Sequence, residues 1–153
     1  MRGNPEDPYD LHRFLIAQEG VYERALAELK GGQKQTHWMW FIFPQIDGLG
    51  YSPTAKRYSI KSMEEARQYL DHPVLERRLL ECTEAVVALK GGSASEIFDY
   101  PDDLKFKSSM TLFEKIAGPG SVFSSALERY CHGKRDAATL ILLDKPIFPE
   151  AEN

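Results

Sequence analysis

The sequence predicts an all-α protein, a single compact multihelical domain of about seven to eight helices. Helix-start signals recur along the chain, and glycine repeatedly follows the last residue of an apolar periodic run. No alternating run of comparable strength argues for a strand. A chain of 153 residues suits one domain, the usual unit being about 100–200 residues. We place that domain at 7–145, with 1–6 and 146–153 as loosely held termini.

The elements follow in order. Asp7-Pro8 reads as an N-cap with proline in the first turn, opening a helix on which Leu11, Phe14, Leu15 and Gln18 share a face. Gly20 interrupts it, and a second helix through Val21, Ala25 and Leu29 stops at Gly31-Gly32. The run Trp38–Phe43 is too short and too evenly apolar for its period to decide between helix and strand. A cap at Thr36, and Pro44 forcing the residue before it out of the helical region, favour a short helix. Ser62-x-x-Glu65 is a capping box for a helix carrying Met63, Ala66, Tyr69 and Leu70. Asp71-His72-Pro73 restarts the chain into the longest amphipathic helix, 74–90, with Leu75, Leu79, Cys82, Val86 and Leu89 on its apolar face. Gly91-Gly92 ends it, and Ser93-x-x-Glu96 boxes a short helix through Ile97-Phe98. A helix over 102–117 closes at Gly118-Pro119-Gly120; Ser121 and Asp136 cap the last two, which run through Tyr130 and from Ala137 to Leu143.

Composition excludes several function classes. A net charge of −4 leaves no general basic face for phosphate contacts, so general nucleic-acid binding is not expected. The longest apolar run, Trp38–Phe43, is far below the ~20 residues of a membrane-spanning helix. MRGNPEDPYD is polar and acidic, unlike a signal peptide, and Cys82 and Cys131 are isolated; both fit a reduced, cytoplasmic protein. His12, His37, His72 and His132 form no H-x-x-x-H or H-E-x-x-H pattern, so no metal site is expected, nor any cofactor. No G-x-S-x-G elbow is present. Oligomeric state is not legible.

Three segments carry candidate chemistry. In THWMWFIFPQIDGLGYS the rings of Trp38, Trp40 and Phe43 either form core or wall a pocket, and His37 and Gln45 bracket them with polar groups. Gly48 and Gly50 would let the following loop approach another group closely. Lys56-Arg57-Tyr58-Ser59-Ile60-Lys61 is the most basic patch, either a solvated face or an anion site in which Arg57 offers a planar fork. In PDDLKFKSSMTLF, Asp102, Lys105 and Ser109 fall at i, i+3 and i+7 on one helical face. A nucleotide-like small-molecule ligand would have its ring enclosed by Trp38, Trp40 and Phe43 beside Tyr58. Gln18 and Gln45 would read its edges, Arg57 or Lys105 would meet a phosphate, and Ser109 would add a hydroxyl. His37 and Asp102 are the candidates for proton transfer. The alternative is a protein-interaction module without chemistry, its rings all core and its basic patch a docking face.

The segments AQEGVYERALAELKGG, HWMWFIFPQIDGLGYSPTAKRYSI, EEARQYLDHPVLERRL and DDLKFKSSMTLF resemble the bacterial family of domain of unknown function 1810, from about Leu11 to Leu143. That resemblance implies a small, mostly helical protein and no particular activity. The calpastatin-like label attached to some members finds no support in a chain so rich in caps. The order of SPTAKRYSIKSMEEARQYLDHP and SSMTLFEKIAGPGSVFSSALERY is similar in layout to the NADAR superfamily, whose members cleave N-glycosides of ribosylated nucleotides or bases. If enzymatic, this resemblance implies an N-glycoside or nucleotide-derivative hydrolase. The sequence departs from that layout where an acid should precede Tyr58, which has Lys56-Arg57 before it. The carboxyl group would then come from Asp47, Glu65, Asp102 or Asp103.

Overall fold

The structure, a computed structural model, describes residues 5–144. Along them run α1 (His12–Gln18), α2 (Tyr22–Lys30), α3 (Met39–Ile42), α4 (Pro53–Arg57) and α5 (Met63–Asp71), followed by α6 (Pro73–Val87), α7 (Ala94–Phe98), α8 (Asp102–Ala117), α9 (Val122–Tyr130) and α10 (Ala137–Leu143). The fold is all-α, as expected, but these ten helices exceed the seven to eight read from periodicity. The short helix expected within Trp38–Phe43 forms as α3, whereas α4 was not read, its five residues being too few for a 3.6-residue period to show. Ile46 and Ile60 form an isolated parallel bridge. Apart from Pro5 and Glu6, the expected loose termini lie outside the described residues.

Most caps form where the sequence puts them, with three corrections. Asp7 does not sit next to its helix. Its carboxylate accepts from Leu11 N at 2.8 Å and His12 N at 3.0 Å, so an intervening turn delays α1 to His12. Thr36 does not cap α3, because its hydroxyl donates to Glu28 Oε2 at 2.7 Å. Ser62 accepts from Glu65 N at 3.1 Å, but the Glu65 carboxylate turns away to Lys61 N at 2.9 Å and the Arg13 guanidinium at 2.7 Å. The full reciprocal box forms at Ser93 and Glu96. Ser121 and Asp136 cap α9 and α10. His72 caps α6 through Nδ1, which accepts from Val74 N and Leu75 N.

The centre is aromatic. Phe43 meets Phe98 edge-on at 5.9 Å and Phe106 at 5.2 Å, while Phe98 and Phe106 stack at 4.6 Å. Tyr69, Phe113 and Phe123 extend the cluster. Rings of this size bury about 150–250 Å² each and favour tilted or edge contacts. Helix α8 runs through this centre, packed against α5, α7, α9 and α10. Cys82 and Cys131 are free and buried. Among the described residues, no helix is long and apolar enough to cross a membrane.

A candidate ligand cleft beside Trp40

The aromatic segment splits by residue. Trp38 is fully buried and its indole N–H donates to Glu28 Oε1 at 2.9 Å. Phe43 is also fully buried, 6.2 Å from the Trp38 ring. Both are core, whereas Trp40 is half-buried and faces an open cleft of about 410 Å³. That volume lies in the range of small-molecule sites, about 300–1,000 Å³.

Four pieces of chain build the cleft. One wall is Trp40 with Gln45, and α8 supplies Leu104, Lys105 and Ser108. The loop Leu49–Ser52 forms the rim, and Asp136 and Ala138 at the start of α10 close one end. The rim loop is held by close approach, as its glycines suggested. A Cβ on Gly50 would stand 2.6 Å from the Ala55 Cβ. Gly48 adopts φ +110°, with the Leu142 side chain 3.1 Å from where its Cβ would be.

The Lys105 ammonium lies 5.2 Å from the Trp40 ring centroid and 3.3 Å from Asp102 Oδ1. Asp102 also receives Lys34 Nζ at 2.9 Å, from a lysine whose side chain is only 9% exposed. The carboxylate therefore bridges two ammonium groups and acts as a strut that aims Lys105 at the ring. Asp136 is spent on its cap, accepting from Thr139 N at 2.9 Å and Thr139 Oγ1 at 2.6 Å. Ser108 Oγ donates to Leu104 O at 3.1 Å. The Gln45 side-chain amide makes no hydrogen bond among the described residues, and with Lys105 it is the polar group best placed to meet a ligand.

The remaining candidates lie elsewhere. Gln18 is buried, donating to Phe41 O at 2.7 Å and accepting from Arg78 at 3.2 Å. Tyr58 packs on Phe14 and Phe41. Ser109 is fully buried with no partner for its hydroxyl. One helical step of about 100° takes Ser109 into the core and leaves Ser108 at the cleft. Arg57 lines a separate hollow, and His37 is exposed without lining the cleft. Of the other carboxylates considered, Asp47 accepts from Ser59 Oγ at 2.8 Å and Asp103 from Ser95 Oγ at 3.2 Å, while Glu65 is buried on Arg13. No candidate acid stands free at the cleft. The cleft residues not anticipated, Tyr51, Ser52, Leu104, Ser108, Asp136 and Ala138, had one signal: the first two follow the glycine loop already marked for close approach.

Fold and cleft define a small helical single-domain protein with an open, partly aromatic depression. A family described as a protein of unknown function, DUF1810, matches residues 8–143. The chain belongs to that family. It is also similar to the conserved hypothetical protein Rv1873 from Mycobacterium tuberculosis, whose crystal structure aligns with a TM-score of 0.89 at 49% identity, over 92% of this chain and 100% of that one. No match is found among curated proteins. The NADAR layout and the calpastatin-like label are not shown by these matches.

Proposed function

We propose that the Trp40 cleft binds a small ligand that combines a planar ring with an anionic group, as nucleotide derivatives such as NAD or ADP-ribose do. The observation that carries this reading is the convergence of Trp40, Gln45 and Lys105 on one open cleft. The half-buried Trp40 indole at the cleft wall can stack on a planar ring, a contact worth about 1–3 kcal/mol for a base. The amide can read a ring edge, and the Lys105 ammonium can meet a phosphate or carboxylate. Binding is supported better than chemistry, because the nearby carboxylates are held by caps and lysines.

Calorimetric titration with AMP, NAD and ADP-ribose tests the proposal, with tryptophan emission followed in parallel. Saturable binding of at least one of them is expected, weakened about tenfold in Lys105→Met. Trp38, sealed against Glu28, should contribute little to the emission change. A Trp40→Ala protein that stays folded and binds as the parent does would overturn the assignment.

A second reading, a protein-interaction module, draws on exposed apolar side chains, of which Tyr51 and Leu104 line the cleft. Tyr51 is 84% exposed, Tyr100 77% and Leu104 50%. A macromolecular partner lost on Tyr51→Ser and Leu104→Ser, with no response to the nucleotides, would favour it.

A further inference from the structure

On the far side of α4 from the Trp40 cleft lies a second hollow of about 410 Å³, between the segment before α1, the C-terminal end of α4 and the start of α5. We infer that this hollow is a separate site for a phosphomonoester or similar compact dianion, bound by Lys56 and Arg57 with the Lys61 charge beside them. The inference is independent of the ligand proposed for the cleft.

The first argument is how the hollow is built. Arg13 forms its floor, and all five of its N–H donors are occupied. Nε donates to Arg57 O at 2.7 Å; Nη1 donates to Tyr9 O at 2.7 Å and Asp10 O at 2.9 Å. Nη2 donates to Ser59 O at 2.8 Å and Glu65 Oε2 at 2.7 Å. A guanidinium has no further donor to give a ligand. Arg13 is therefore structural: it ties the 8–10 segment, the end of α4 and the start of α5 into one rigid frame. Burying a charge is costly unless it is paired and hydrogen-bonded, and Arg13 meets both conditions with its partner Glu65 at 1% side-chain exposure.

The second argument is charge. With Arg13 and Glu65 cancelling, Lys56, Arg57 and Lys61 face the hollow against one further carboxylate, Asp10. Asp47 stands 3.7 Å from Lys61 Nζ, outside the lining. Lys61 is held in place by Ser59 Oγ at 2.6 Å and Lys56 O at 2.9 Å. Neither Lys56 nor Arg57 is paired with a carboxylate among the described residues, and the Arg57 guanidinium rests 5.8 Å from the Tyr58 ring. Asp47 on Lys61 and Asp10 in the lining offset two of the three cations, so a local excess of one positive charge remains on a preformed frame in a chain of net charge −4. Compensation of the α4 macrodipole would explain one of them. A five-residue helix has too small a dipole to call for three. The planar fork of Arg57 beside the Lys56 ammonium matches the oxygens of a phosphomonoester.

The probes are inorganic phosphate and glycerol 3-phosphate, titrated calorimetrically at fixed ionic strength, with chloride and glycerol as controls. Saturable binding of both phosphates is expected. Arg57→Gln and Lys56→Gln, each at an exposed side chain outside the Arg13 frame, should each weaken it about tenfold. Trp40→Ala and Lys105→Met should leave it unchanged, which separates this site from the cleft. Backbone amide shifts should centre on residues 59–62. Absence of saturable phosphate binding, parental affinity in the Arg57→Gln/Lys56→Gln double variant, or loss of binding in Lys105→Met would each overturn the inference.

Discussion

Glu28 is the residue on which the aromatic segment turns. Its carboxylate receives Gln35 N, Thr36 N, Thr36 Oγ1 and the Trp38 indole, at distances from 2.7 to 3.1 Å. Burial pushes the carboxyl up, but the donations from Gln35, Thr36 and Trp38 together outweigh it and bring the pKa down to about 2. A carboxyl held below its unfolded value of about 4.3 contributes its stability in full above that pH. The contribution is lost as pH falls through about 2. Glu28→Gln should therefore cost about 2 kcal/mol near neutrality, with the gap to the parent narrowing as urea unfolding is repeated from pH 5 downward (roughly the range in which a depressed carboxylate titrates). A constant gap across that range would show that the carboxylate charge is not what matters. At Glu65 the consequence is harsher. Glu65→Gln leaves the Arg13 charge buried without its counter-ion, and breaking such a pair costs about 3–5 kcal/mol, to be read from the urea midpoint.

Among the elements, most capped helices were legible, but α4, about one turn long and capped by Ser52, was not. Ser93, Ser121 and Asp136 announce their helices because a cap is a local interaction between a side chain and an N–H two or three residues on. Asp7 announced a helix but not its start, since a turn separates the cap from the first helical residue. The segment Trp38–Phe43 showed that large rings sit together, but not which of them reach the surface. That depends on partners distant in sequence: Glu28 for Trp38, Phe98 and Phe106 for Phe43, Lys105 for Trp40. Thus Trp40, Gln45 and Lys105 line the cleft, while Trp38, Phe43, Gln18 and Ser109 could be assigned to the interior only in three dimensions. The glycine loop was read more fully. Gly50→Ala should destabilise the protein by about 1–3 kcal/mol through overpacking against Ala55. The double variant with Ala55→Gly should recover much of that loss in a thermal melt, as expected for residues in contact.

At the scale of the whole fold, the buried apolar residues form one continuous cluster from Leu11 to Cys131 among the described residues. A single cluster predicts one cooperative unfolding transition, with tryptophan emission and far-ultraviolet circular dichroism coinciding in urea. Phe43→Ala, at the ring that joins α3 to α7 and α8, should lower the stability of that transition by about 3–5 kcal/mol without splitting it. Separate transitions for the two probes would mean that the N-terminal helices and α8 form distinct folding units. Between the two hollows stands α4, which turns Ala55 to one and Lys56 and Arg57 to the other. A partition this thin cannot be displaced on one side alone. Were both hollows occupied, any effect of one occupant on affinity at the opposite hollow would be returned by the same factor in the other direction, so each site would report on its neighbour.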